Sequence, residues 1–351
     1  MLRHLWSLLK VIWRKGKIPV EWKRAEGCFI PKEKKSQKVD QYRTISLLNI
    51  EGKIFFAVIA RRITSYMISN RYINPSVQKG GITGYSGCVE HTSAISQLIR
   101  EARKNQRDLN VVWLDLANAY GSIPHQVILK ALEHYHIPSH TQNIIKSYFS
   151  DIQMRFTTNK FTTAWQRLEK GIVTGCTISV ILFVMGMNLI IKAGERESRG
   201  PKTQTSIILP TARGFMDDLT ITTEKPVQTR WVLAALEDAA TWARMKFKPK
   251  KSRSLSINKG KIDERMRFKI QGEAVPLITE SPIKCLGRWF DSTLKDVKNN
   301  ENLQQQVTEG MKKIDNTGLP GKFKAWIFQH GLLTRLLWPL MLYEIGETAV
   351  Q

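Results

Sequence analysis

Apolar and polar positions along this chain follow two periods. Leu2, Leu5, Trp6, Leu9, Ile12 and Trp13 recur every three or four residues, the spacing of one helical face. Ile54, Phe55, Val58, Ile59 and Ile63 repeat that pattern within residues 50–66, and residues 90–104, 126–136, 141–149 and 227–245 read as further helices. Short apolar runs at 28–30, 109–116, 254–257 and 283–290 have strand length. Alternation at 154–163 predicts a hairpin, and 207–209 with 219–222 bracket the segment GFMDD as a second one. The most apolar run, ISVILFVMGMNLII at 178–191, is shorter than a bilayer span and is interrupted by Ser179, Gly186 and Asn188. It reads as a buried helix. A basic loop at 31–43, a glycine-rich loop at 79–87 and a helical tail from 294 complete the pattern. Strands clustered around acidic motifs, with helices between them, predict an α+β fold.

Composition adds a partner. The 351 residues, 42% of them hydrophobic, suffice for two or three subdomains. With 54 Lys and Arg against 30 Asp and Glu, the formal charge is +24, an excess that attracts a polyanion such as nucleic acid. Arg3, His4 and Lys10 interrupt the first apolar stretch, and no small-residue cleavage site comes after it, which argues against a signal peptide. Cys28, Cys88, Cys176 and Cys285 are scattered without a CxxC pair, which speaks against a zinc module or disulfide framework and fits a reducing intracellular compartment. The basic runs KEKK and KFKPKK are compatible with nuclear entry.

Two acidic features carry candidate chemistry. In VVWLDLANAYGSIPH, Asp115 ends an apolar strand and Tyr120 stands five residues later; in GFMDDLTI, Asp217 and Asp218 sit between apolar flanks suited to a tight β-turn. A carboxylate at the end of a buried strand is costly without positive compensation, and divalent metal supplies it. Two Mg²⁺ ions about 4 Å apart activate a 3′-hydroxyl and stabilise leaving pyrophosphate in nucleotidyl transfer, with hard oxygen ligands shared between protein and phosphates. An Asp-Asp pair alone more often marks a solvated turn; the upstream strand-terminal Asp and the basic chain favour the catalytic reading.

The order of these segments resembles the reverse transcriptases of non-LTR (LINE-like) retrotransposons over roughly residues 10–292. CFIPKEKKSQKVDQYRTISLLNIEGKIF resembles the family's fingers motif at Lys32, Tyr42, Arg43 and Lys53, and Gln78 with Gly80 resembles its Q-x-G-F element. LDLANAY resembles polymerase motif A, GIVTGCTISVILF motif B, FMDD motif C, FKPKKSRSLSI motif D and IKCLGRWFD the Leu-Gly hairpin of motif E. The resemblance implies a right-hand polymerase fold with fingers, an antiparallel-sheet palm bearing helices, and a helical thumb. It divides the chain into an N-terminal helix and fingers (1–92), a palm with an interleaved fingers segment (93–292) and a partial helical thumb (293–351).

The resemblance also implies roles. Asp115, Asp217 and Asp218 would bind Mg²⁺, or Mn²⁺ in its place, and Tyr120 would crowd the sugar 2′ position in favour of deoxynucleotides. Arg43 would contact the incoming triphosphate through its planar fork, with Lys32 as a point charge. Gly175 would let backbone approach the nascent base pair, Ser179 would line the same motif, and Lys251, with Lys250 adjacent, would protonate leaving pyrophosphate. The implied partners are an RNA template, a DNA primer and dNTPs, with no integral membrane segment. For Tyr120 and Ser179 the competing reading is core packing, and for the lysines a solvated surface.

Departures from the family pattern are Thr44 and Thr177 for Pro, Thr174 for Gln, and Gly81 for Phe. They point to lowered activity or to a decaying or domesticated copy. No endonuclease domain, zinc knuckle or ribonuclease H domain accompanies the core, so the chain reads as a fragment or isolated module. The main reading is thus an RNA-directed DNA polymerase, and the alternative a catalytically impaired, polymerase-derived RNA-binding protein. A group II intron maturase would carry a further domain after the thumb, and Tyr120 argues against an RNA-dependent RNA polymerase.

Overall fold

The computed structural model describes residues 2–32, 36–38, 41–82, 84, 88–158, 161–293 and 295–343; parts of the loops expected at 31–43 and 79–87 lie outside the described residues. In chain order the strands are β1 (Arg24–Pro31), β2 (Tyr42–Leu47), β3 (Leu109–Leu114), β4 (Gln153–Phe156), β5 (Gln166–Arg167), β6 (Ala212–Phe215) and β7 (Asp218–Thr223). They continue with β8 (Arg253–Asn258), β9 (Lys261–Ile262), β10 (Phe268–Ile270), β11 (Glu273–Val275), β12 (Ile283–Cys285) and β13 (Arg288–Phe290).

One sheet has the order β2-β1-β4-β5, with β1 and β4 parallel. A second, β6-β7-β3-β8-β9, is antiparallel throughout, and β10-β11 and β12-β13 form separate two-stranded antiparallel ribbons. Strand β3 lies at the centre of the second sheet and is buried at every position. Successive strand side chains point to opposite faces, so β3 feeds two cores. Leu109, Val111 and Trp113 pack with Ile95, Leu98 and Ile99 of helix Cys88–Lys104, whereas Val112 and Leu114 enter the larger core. Double coverage is why LNVVWL reads as continuous rather than alternating apolar sequence. Its one polar member, buried Asn110, donates to Glu224 O (3.2 Å) and accepts from Ser256 Oγ (2.8 Å).

Helix Ser179–Glu197 runs through the larger core, as its apolar sequence predicts. Gly186 and Gly194 let neighbours come close: a Cβ at Gly194 would lie 3.0 Å from Leu236 of helix Pro226–Trp242. The interrupting Asn188 spends both amide hydrogens on Tyr72 O (2.8 Å) and Tyr135 Oη (2.9 Å), which makes it a satisfied core amide. Helix Ile50–Ser69 starts where Asn49 Oδ1 accepts from Gly52 N–H at 3.0 Å. No helix among the described residues is long and apolar enough to cross a membrane.

Three expectations change. The partner of β7 is β6, not 207–209; Ile208 instead bridges Lys202, and Ile207 and Ile208 are exposed. The reason is turn length: a two-residue turn at Met216–Asp217 requires the partner strand to end at Phe215. The run 283–290 is two strands, because Leu286 (φ +48°) and Gly287 (φ +90°) form the doubly left-handed turn that matches strand twist. Residues Tyr42–Leu47, which begin inside the expected basic loop and run beyond it, form strand β2.

Two charged groups, Glu195 and Arg213, intrude on the core. Burial pushes Glu195 up to about 7, against the pull of Lys192 and Arg213, while Arg213 on β6 is buried and lowered to about 10 by the same cause. The acid therefore binds its proton more tightly folded than unfolded. Its contribution to stability is present below its ordinary value of 4.5 and is lost as pH rises through about 7. Glu195→Gln is expected to raise stability in urea unfolding at pH 8, by about 1 kcal/mol after allowance for partial solvation, and to leave it unchanged at pH 4.5.

Candidate active site

The three acidic residues converge through register. Pairing sets Leu114 against Leu219 and Phe215 against Asp218, so one further step along β3 brings Asp115 level with Asp218, beside the turn residue Asp217. Asp217 acts on both of the other two. Partial burial pushes Asp218 up to about 6, with Asp217 and Asp115 adding to the rise. Asp115 is raised chiefly by burial and further by Asp217, while Lys248 and Lys251 pull it back.

Backbone hydrogen bonds fix Asp115 in place. Its N–H donates to Ser252 Oγ (3.1 Å), Ser252 Oγ–H donates to Lys248 O (2.9 Å), and Lys248 N–H donates to Asp115 O (2.8 Å). This closed ring ties the end of β3 to the turn Pro249–Lys251 and brings the lysines near. Lys248, the stronger influence on Asp115, is not singled out by the sequence because KPKK offers no register of its own.

The turn bearing Asp217 has a second support that sequence reading does not place in the site. Met216 adopts φ +60°, a conformation costly for a side-chain-bearing residue. Fully buried Gln78 brackets it: Oε1 accepts from Met216 N–H (3.2 Å) and Gly80 N–H (3.1 Å), and Nε2 donates to Met216 O (3.4 Å). Gly80 allows the approach, since a Cβ there would fall 2.3 Å from Met216 N. Gly81 (φ +73°) is equally constrained, because a Cβ would meet Val180 at 2.3 Å. The signal for this support is the Q-x-G pattern itself.

Tyr120 stacks on Phe183 (4.6 Å between centroids, 21° between planes), and burial, with Asp217 second, raises its hydroxyl pKa. Its carbonyl accepts from Ile172 N–H at 2.8 Å, which joins the motif A segment to the loop carrying Gly175. Gly175 is exposed, whereas Ser179 is only 2% exposed and its N–H donates to Cys176 O at 3.2 Å. Ser179 thus belongs to the packed base of the loop. Arg43 is exposed on β2 opposite Ile30, and Lys32 stands just beyond β1, its N–H donating to Gln41 O at 2.9 Å.

The donor set suits a hard divalent cation. The carboxylates are oxygen ligands, and burial together with one another's charge makes Asp218 and Asp115 hold their protons more readily, a situation that a cation relieves. Among the described residues no group of three or more His, Cys, Asp and Glu is arranged to hold a metal ion, the three aspartates included.

The chain and its fold match known proteins. The family described as reverse transcriptase (RNA-dependent DNA polymerase) matches residues 30–290. The chain belongs to the reverse transcriptase family. It is 25% identical over 255 residues to the Retrovirus-related Pol polyprotein from type-1 retrotransposable element R2 of Nasonia vitripennis, covering 72% of this chain and 24% of that protein. It is 22% identical over 289 residues to the corresponding type-2 element R2DM polyprotein of Drosophila melanogaster, covering 81% of this chain and 26% of the relative. A third relative, the Transposon TX1 uncharacterized 149 kDa protein of Xenopus laevis, is 23% identical over 51% of this chain and 14% of its own length. The chain therefore spans about a quarter of the length of the first two curated relatives. These relatives are proteins of retrotransposable elements or of a transposon. Among solved structures, apo telomerase from Candida tropicalis, truncated from its C-terminal domain, aligns with a TM-score of 0.50 at 11% identity, covering 82% of this chain and 60% of that one. The fold is that of a right-hand polymerase.

Removing the bracket under the catalytic turn has a calculable cost. Gln78→Leu leaves the Met216 and Gly80 N–H groups without their partner and is expected to destabilise the chain by about 2 kcal/mol in chemical denaturation. A midpoint equal to wild type would rule the bracket out.

Proposed function

We propose that this chain is the polymerase core of a reverse transcriptase, adding dNMP from a dNTP to a primer 3′-hydroxyl on an RNA template. The observation that carries this reading is the meeting of Asp115, Asp217 and Asp218 at the end of two antiparallel strands, close enough for Asp217 to bear on both of the others and Asp115 on Asp218. In outline, residues 1–92 serve as fingers, 93–292 as palm with an interleaved fingers segment, and 293 onward as thumb. That chemistry requires an RNA template and a DNA primer, to which the +24 charge is suited, and dNTPs as substrates.

Asp115 and Asp217 would hold two Mg²⁺ ions, with Mn²⁺ able to substitute, and Asp218 would support the metal or the primer terminus. The bound metals supply activation of the 3′-hydroxyl and charge stabilisation at the phosphates. The protein's own part is positioning and charge placement, which phosphoryl transfer chiefly requires. Arg43, exposed on β2, grips the triphosphate, with Lys32 as an accessory charge. Gly175 gives backbone access to the nascent base pair, and buried Ser179 supports that loop from below. Lys251 or Lys248, both acting on Asp115, stands ready to protonate pyrophosphate. Tyr120, stacked on Phe183, crowds the sugar 2′ position.

Primer extension on an RNA template tests the reading directly. Wild-type chain is expected to extend with dNTPs in Mg²⁺ or Mn²⁺, and Asp217→Asn to lose extension by at least about a thousandfold, as expected when an electrostatic anchor of phosphoryl transfer is removed. RNA binding without extension would favour the non-catalytic binder instead. Tyr120→Val is expected to admit ribonucleotides, read as rNTP against dNTP incorporation; unchanged sugar discrimination would remove Tyr120 from the gate role.

A further inference from the structure

The loop of residues 173–177 is docked on the sheet β2-β1-β4-β5 by its own hydrogen bonds. Ser46 N–H on β2 donates to Thr174 O (3.1 Å), and Thr174 Oγ1–H donates back to Thr44 O (2.7 Å). Ser46 Oγ lies 3.5 Å from the same threonine hydroxyl. Three residues on, Thr177 Oγ1–H donates to Lys53 O (2.9 Å) in the first turn of helix Ile50–Ser69. Between these links Gly175 adopts φ +97°, and a Cβ there would lie 2.6 Å from Ser46 O. The loop therefore covers β2, an edge strand whose outer polar groups would otherwise be open.

Two of the donors are the residues that depart from the family's motif B. Proline at 177 has no hydroxyl to give Lys53 O, and a glutamine at 174 carries its amide N–H two atoms farther from the backbone than the threonine hydroxyl, so it would have to fold back to meet Thr44 O. The substituted residues form contacts; they do not merely lack old ones.

We propose that Thr174 and Thr177 are positioning residues that bind the loop and β2 into one body, fixing the spacing between Gly175 and Arg43 before a nucleotide arrives. Arg43 is one residue from Thr44 on the same strand, so the two halves of the nucleotide site cannot separate without breaking these bonds. The fixed spacing acts on nucleotide affinity and leaves the chemical step to the carboxylates. This role rests on the polymerase reading, whereas the docked loop itself does not.

The test uses the full chain with Thr174→Val, Thr177→Val, the double variant and Thr174→Ser. In single-nucleotide primer extension each valine is expected to raise the dNTP KM about fivefold, the size of one neutral hydrogen bond, with kcat and template–primer Kd changed less than about twofold. Thr174→Ser keeps the hydroxyl and is expected to behave as wild type. Amide hydrogen exchange of the free protein supplies a readout independent of activity: Ser46 and the 173–177 segment exchange faster in Thr174→Val. A double variant with wild-type KM would overturn the positioning role, and unchanged exchange at Ser46 would overturn the clasp. If the wild-type chain fails to extend primers, the polymerase reading falls and exchange alone decides the clasp.

Discussion

Three carboxylates of like sign share the mouth of one sheet, and their surroundings hold them there against mutual repulsion. Strand β3 is covered on both faces, so its first open polar position is Asp115, where the strand leaves the core. The hairpin β6–β7 turns within two residues and so cannot carry Asp217 elsewhere. Each anchor is a backbone hydrogen bond to a small or buried polar side chain, Ser252 on one side and Gln78 on the other. Such supports are short and stiff, which suits groups that must present charge at a set place. The two lysines supplied by the 248–251 turn temper the repulsion around Asp115 without closing the site.

The substitutions that set this chain apart from the family pattern look different once their contacts are known. Gly81 occupies a left-handed position against Val180 where a larger side chain has no room. Thr174 and Thr177 each donate a hydroxyl across to another part of the chain, and Thr44 contributes a carbonyl that any residue would carry. Locally these residues agree with one another, which is the behaviour of a consistent packing solution and not of scattered damage.

Much of the fold is legible in the sequence because burial imposes period. The helices at 50–69 and 179–197 and the strand at 109–114 each announce themselves through apolar spacing. The acidic triad is legible because charge at the end of an apolar run is rare without a purpose. Features set by contacts distant in sequence escape. Strand β2 is hidden because its residues Tyr42 to Leu47 mix polar and apolar types on a half-open sheet. Ile207 and Ile208 look like strand yet stand exposed, since hydrophobicity cannot say which neighbour a turn selects. Lys248 and Ser252 reach the site through a ring of hydrogen bonds that no local pattern encodes.

The mixed sheet has a consequence for how the chain must be built. Strand β1 pairs in parallel with β4, and Glu26 and Arg155, which meet across that pair, are 129 positions apart. During synthesis the β1–β2 hairpin emerges early with both edges bare, and β3 leaves the ribosome before β4 does. Closing so long a loop is entropically late, so the bare edge of β1 is exposed to other nascent chains for that interval. A cut between residues 92 and 93 would make that exposure permanent, leaving β1 and β2 as a sticky two-stranded ribbon with no β4 to cover them.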